Sequence, residues 1–176
     1  MFYRLLCCAM ACAVALVAET IDNVQFTLPD SHSHWILVDQ IENSCGSAVI
    51  FSPEEPSDDY FYCDWDDEDE DESSLFYATY HNVEYQSHVN PQQMEDQLAL
   101  MFPFVQYQFY LIEQDENSAL LEFYGFDQDG PLFYGMLRKM RSANGTVTLT
   151  YMMDLESTTP KERKAGLLAL QSAIAS

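Results

Sequence analysis

Cysteine and carboxylate side chains are the groups in this sequence whose placement could do chemistry. Cys45 and Cys63 bracket a short segment, and residues 54–72 hold twelve acids and no base. At the extreme of that run, Asp64, Asp66, Asp67, Glu68, Asp69, Glu70, Asp71 and Glu72 surround a lone Trp65. Carboxylates at this density are hard oxygen ligands, so calcium is the cation to consider. The spacing opposes a dedicated cage: the twelfth position counted from Asp64 is Leu75 rather than Glu, and no glycine permits the sharp turn of an EF-hand loop. What remains is weak association of cations, or recruitment of a basic protein by long-range attraction. Burying unpaired charges costs several kcal/mol each, which places this run in an exposed loop at about 54–74, outside the packed domain.

The remaining candidates are weaker. His32 and His34 lie on one side of an extended segment and could share a divalent ion, but the local sequence supplies no third ligand. His81 and His88 are isolated. Cys45-Gly46-Ser47 has a thiol beside a glycine, yet the order is wrong for a thiol-protease nucleophile. No Gly-x-Ser-x-Gly elbow, His-Glu-x-x-His helix or phosphate-cradling glycine loop occurs. Asn144-Gly145-Thr146 is a glycosylation sequon whose better-supported role is a turn. No catalytic residue, cofactor or metal site is expected.

Charge and the amino terminus bound the setting. The 176 residues carry 29 acids and 7 bases, a formal net charge of -22, and no Lys or Arg occurs between Arg4 and Arg138. Such a balance repels phosphate backbones and anionic lipid, which argues against nucleic acid and membrane surfaces as partners. Met1 to Arg4 form a short basic region and Leu5 to Val17 an apolar run, with small residues at Ala15 and Ala18 ahead of Glu19. That pattern predicts a secretory signal peptide at 1–18, since a membrane anchor needs about 20 apolar residues. Cleavage removes Cys7, Cys8 and Cys12. Cys45 and Cys63 then remain in an oxidising compartment, secreted or periplasmic, and are expected to form a disulfide that stabilises by about 3 kcal/mol.

The elements that must carry these groups are read from hydrophobic period and turn chemistry. With 48% hydrophobic and 14% aromatic residues, 19–176 can bury the core of a single domain. Val105, Tyr107, Phe109 and Leu111 alternate with Gln106, Gln108 and Tyr110, and Val147, Leu149, Tyr151 and Met153 alternate with threonines. Ser118 to Phe126 and Leu132 to Met140 lie between them, joined through Asp129-Gly130 and, at Asn144-Gly145, a type I′ turn. Four antiparallel strands follow. Val24 to Leu28, Trp35 to Ile41, Ala48 to Phe51 and Leu75 to Tyr85 are further strand candidates. Asn90-Pro91 opens a helix over about 91–102 with Met94, Leu98, Met101 and Phe102 on one face, ended by Pro103. Thr159-Pro160-Lys161-Glu162 opens another at 160–175, with Leu167, Leu170 and Ile174 as its stripe. The expected fold is therefore α+β: an antiparallel sheet with the 104–153 meander at its centre, flanked by the two helices.

Phe26-Thr27-Leu28-Pro29 with nearby Trp35, the strand through Gly135-Met136-Leu137, the Thr146 to Tyr151 strand and the Glu162-Arg163 helix start resemble the PsbP and Mog superfamily of α/β/α sandwiches. The resemblance spans most of residues 24 to 175 and is one of fold alone. It implies a non-enzymatic module, since members serve as an extrinsic photosystem subunit, a Ran GTPase partner or chaperone-like adaptors for secreted cargo. It carries no binding residue onto a position here. The function expected is an exported, non-catalytic binding or adaptor module whose partner is a basic protein or secreted cargo. A divalent-cation-binding protein and a hydrolase with an unrecognised site are the alternatives.

Overall fold

A computed structural model describes residues 18–32, 34–53, 74–87, 89–99, 105–155 and 158–176. Along them run β1 (Ala18–Ile21), β2 (Val24–Thr27), β3 (Ile36–Asn43), β4 (Gly46–Ser52), β5 (Ser74–His81), α1 (Pro91–Ala99), β6 (Gln106–Gln114), β7 (Ser118–Phe126), β8 (Pro131–Arg141), β9 (Thr146–Asp154), α2 (Pro160–Ser172) and β10 (Ile174–Ala175). Seven strands form one antiparallel sheet in the order β3-β4-β5-β9-β8-β7-β6, and β1-β2-β10 form a second.

This architecture is predominantly β and corrects the α+β expectation. The meander is present, but β6 is an edge and β9 is the middle strand, because β5 pairs with β9 over eight residues and brings β3 and β4 with it. Of the early strand candidates, those at 35–41 and 48–51 join this sheet as β3 and β4 and that at 75–85 as β5, which ends at His81, while Val24 to Leu28 supplies β2 of the small sheet. Helices do not flank it as two layers. One face is covered by the small sheet together with α2, through Ile21, Val24, Phe26, Leu170 and Ala173. The other carries the nine-residue α1, anchored by buried Met94 and Leu98 over Tyr77, Phe123 and Phe133. Met101 and Phe102 fall outside the described residues. Ile174 is not in the α2 stripe: Ala173 turns extended and Ile174 pairs with Gln25, leaving its side chain 66% exposed. A helix that closes on a capping box at Thr159 and Glu162 is ended here by competition from a strand.

The β7–β8 pair shows how sequence fixes register. Phe-Tyr-Gly occurs at 123–125 and again at 133–135, and antiparallel pairing sets Phe123 against Gly135, Tyr124 against Tyr134, and Gly125 against Phe133. Each phenyl ring lies over the opposite glycine, where a Cβ would fall 2.3 Å from Phe123 Cζ or 2.2 Å from Phe133 Cζ. On the other face Tyr124 and Tyr134 meet edge to face at 5.2 Å. A one-residue slip would turn the phenyl and phenol rings of the shifted strand to the wrong faces.

Turns at one end of the sheet are tied by Asx side chains. Asp115 Oδ1 accepts from the amides of Asn117 and Ser118 at 2.7 Å each, and Asn43 Oδ1 accepts from Cys45 and Gly46. At the opposite end Asp127 does the same for Asp129 and Gly130, whose φ of +142° only glycine adopts readily. The Asn144-Gly145 connection is not the expected type I′ turn, since neither residue has a positive φ. Ser142 Oγ accepts from the Gly145 amide, and glycine is needed because a Cβ would sit 2.2 Å from the His81 carbonyl oxygen.

Candidate functional site

Three of the chain's seven bases, Arg138, Lys139 and Arg141, lie within four residues of β8. Strand alternation sends Arg138 to the α2 face and Lys139 and Arg141 to the α1 face. Arg138 Nη1 donates to the carbonyl oxygens of Leu170 and Gln171 at 2.9 Å and of Ala173 at 3.2 Å, so its cation satisfies the last carbonyls of α2. Arg141 places its guanidinium 5.7 Å from the centre of the Tyr85 ring.

These two arginines border an open groove of about 560 Å³ at the turn end of the sheet, together with Asn23, Asn117, Ser142 and Ile174. The β1–β2 turn closes one side: Asn23 Oδ1 accepts from the Ala143 amide, and Asp22 Oδ1 accepts from Asn144 Nδ2 at 2.9 Å. Burial works to raise the Asp22 carboxyl, but hydrogen bonds from Asn144 and Ser142 prevail and hold it below the usual range. The carboxylate in the groove wall, Asp115, is likewise held low by the Asn117 and Ser118 amides and is already committed to them. Along the other side runs β10, whose one strand partner among the described residues is β2, so that its second edge faces the groove. The site thus combines a short strand edge, donor side chains and two cations in a strongly acidic chain.

A strap at residues 82–87 crosses the same end of the sheet on the α1 face. Thr146 Oγ1 donates to the Val83 carbonyl at 2.8 Å, Tyr85 is buried under Arg141, and Gln114 Nε2 donates to the Ser87 carbonyl. On the same face of the sheet lie Lys139, half-buried, and the hydroxyl-bearing residues Tyr77, Thr148 and Thr150. His81 stands at the end of β5; burial first, and the Lys139 charge second, hold its imidazole below the usual range.

The residues singled out from sequence fare unevenly. Cys45 is exposed in the β3–β4 turn with its thiol 3.9 Å from Ser44 Oγ. Cys63, Asp64, Asp66, Asp67, Glu68, Asp69, Glu70, Asp71 and Glu72 lie outside the described residues, as do His88 and positions 1–17 of the expected signal. His32 packs edge-on against Trp35 at 5.2 Å, and His34 is exposed. Among the described residues no group of three His, Cys, Asp or Glu is placed to hold a metal ion, and no helix is long and apolar enough to cross a membrane. Sequence reasoning missed the groove. Its signal was the run Arg138-Lys139-x-Arg141 in a strand, where alternation divides the charges between two faces.

No family model, characterised protein or solved structure matches this chain. The resemblance to the PsbP and Mog superfamily therefore rests on the residues quoted for it alone.

Proposed function

We propose that this protein is an exported, non-catalytic adaptor that holds an extended, carboxylate-bearing segment of a partner protein in the groove beside β10. The observation that carries the reading is the outer edge of β10 beside a groove whose lining includes Arg138 and Arg141. Strand addition supplies affinity through main-chain hydrogen bonds, and a side-chain carboxylate reaching an arginine supplies selection. A volume of about 560 Å³ suits a few residues rather than a domain. Export and the Cys45–Cys63 bridge belong to the same proposal. Recruitment of a basic partner by the acidic run 64–72 rests on residues outside the described set and is not part of it.

The test is calorimetric titration with an acetylated Thr-Val-Glu-Val-Thr amide and with its Gln counterpart. The Glu peptide is expected to bind about tenfold more tightly, the worth of one charge-assisted hydrogen bond. Arg141→Gln is expected to erase the difference. Equal affinities, or no binding of either peptide, reject the proposal.

A further inference from the structure

The tip of the β1–β2 hairpin docks on the β8–β9 turn through side chains. Asn144 Nδ2 donates to Asp22 Oδ1 at 2.9 Å, and the Ala143 amide donates to Asn23 Oδ1 at 2.8 Å. Within the turn, the Gly145 amide donates to Ser142 Oγ at 3.1 Å. Asn144 itself is exposed, whereas Ser142 and Gly145 are buried.

Of the chain's six asparagines, Asn144 alone precedes a glycine. That pair carries a reaction of its own, because glycine has no side chain to keep its nitrogen from the amide of the residue before it. The Gly145 nitrogen attacks Asn144 Cγ, the new N–Cγ bond closes a succinimide, and the glycine's proton leaves with Nδ2 as ammonia. Water then opens the ring at either carbonyl, giving aspartate or, with the main chain rerouted through Cγ, isoaspartate. Water is the one co-reactant, and no oxidation state changes. In the docked turn both reacting groups are engaged, Nδ2 by Asp22 and the Gly145 N–H by Ser142, so the turn must open before they meet.

The product reverses the contact. Burial works to raise the Asp22 carboxyl, but hydrogen bonds from Asn144 and Ser142 hold it low, so it is an anion at neutral pH. A carboxylate at 144 replaces the donor with a second anion at hydrogen-bonding distance, and two carboxylates so placed cannot both stay ionised and in contact. Isoaspartate adds a backbone carbon beside Gly145, which already lies so close to His81 that a Cβ would fall 2.2 Å from its carbonyl oxygen.

We propose that Asn144 is a site of spontaneous deamidation, gated by the docking of the β1–β2 hairpin, and that the acid formed there releases the hairpin from the β8–β9 turn. The inference rests on the turn and is independent of the adaptor reading, although Asn23 and Ala143 also line the groove beside β10.

Incubation of the full mature chain at pH 8 and 37 °C, folded and in guanidinium chloride, followed by tryptic digestion tests the gating. The peptide from Ser142 to Lys161 holds Asn144 as its single asparagine, so an acid-for-amide mass gain and an isoaspartate assay locate the change. Conversion is expected to be fastest in guanidinium chloride and slowest in the folded parent. In folded Ser142→Ala it is expected to run about fivefold faster than in the folded parent, the worth of one hydrogen bond. Asn144→Asp tests the consequence: its Tm at pH 7 is expected to lie below the parent's, with most of the loss restored by adding Asp22→Asn. Asparagine accepts the φ of +50° at position 22 and returns a donor to the contact. Equal rates in the folded parent and in guanidinium chloride, no acceleration by Ser142→Ala, or an Asn144→Asp protein as stable as the parent would each overturn the proposal. So would a double variant no more stable than Asn144→Asp.

Discussion

Replacing Gly135 by alanine is expected to destabilise the protein, and the size of the effect follows from the ring above it. The new methyl would fall 2.3 Å from Phe123 Cζ and within 2.8 Å of both Cε atoms, more than 1 Å inside ordinary contact. Phe123 is fully buried and meets Tyr107, Phe109 and Phe133 at centroid distances of 6.2, 5.6 and 6.3 Å, so the ring has nowhere to retreat. Overpacking of this kind costs about 1–3 kcal/mol. Alanine recovers about 0.4–1 kcal/mol by restricting the unfolded chain. A net loss of about 1–2 kcal/mol follows, read from urea unfolding followed by tryptophan fluorescence. Phe123→Ala alone should cost about 3–5 kcal/mol. Combining the two should cost no more than Phe123→Ala, because the methyl then occupies space the ring has left. A Gly135→Ala protein as stable as the parent, or two costs that simply add, would refute the reciprocal Phe–Gly packing.

Other outcomes follow from single contacts. Thr159→Ala removes one half of the α2 capping box and should cost about 0.5–2 kcal/mol, measured by thermal unfolding. For His81 the folded-state pKa lies below its unfolded value of 6.5, so the unfolded chain binds more protons in the window between them. Stability should therefore rise with pH through that window and fall as pH drops, and His81→Gln should remove this component when urea unfolding is compared at pH 5 and pH 7. Arg138→Met leaves the Leu170, Gln171 and Ala173 carbonyls without their cation, and amide exchange should become faster over Ala173–Ser176.

The parts of the fold legible in the sequence are those written in local chemistry. Thr159 and Glu162 marked the start of α2, and alternation from Val105 onward marked β6, because capping and pleat period act over a few residues. Global arrangement was not local. The pairing of β5 with β9 joins residues some seventy positions apart, and nothing near Phe76 announces Tyr151 as its partner. Helix 160–175 was read one turn too long because Ile174 continues an apolar stripe, while the bond to Gln25 that removes it from the helix comes from the other end of the chain. The Asn-Gly pair at 144–145 implied positive φ angles, yet the glycine serves the close approach of the His81 carbonyl. The groove escaped for the same reason: Arg138 and Arg141 read as two of a few bases until the β10 edge and the Asn23 turn were set beside them.

The adaptor reading is tested most directly by following the backbone amide NMR spectrum of the ¹⁵N-labelled mature protein during titration with the acetylated Thr-Val-Glu-Val-Thr amide. The largest shifts should fall on Asn117, Arg141, Ala143, Ile174 and Ala175, the residues around the groove, with new protection from exchange along β10. Shifts confined to the exposed edge residues Tyr110, Leu111 and Ile112 of β6, or a spectrum the peptide leaves unchanged, would contradict it.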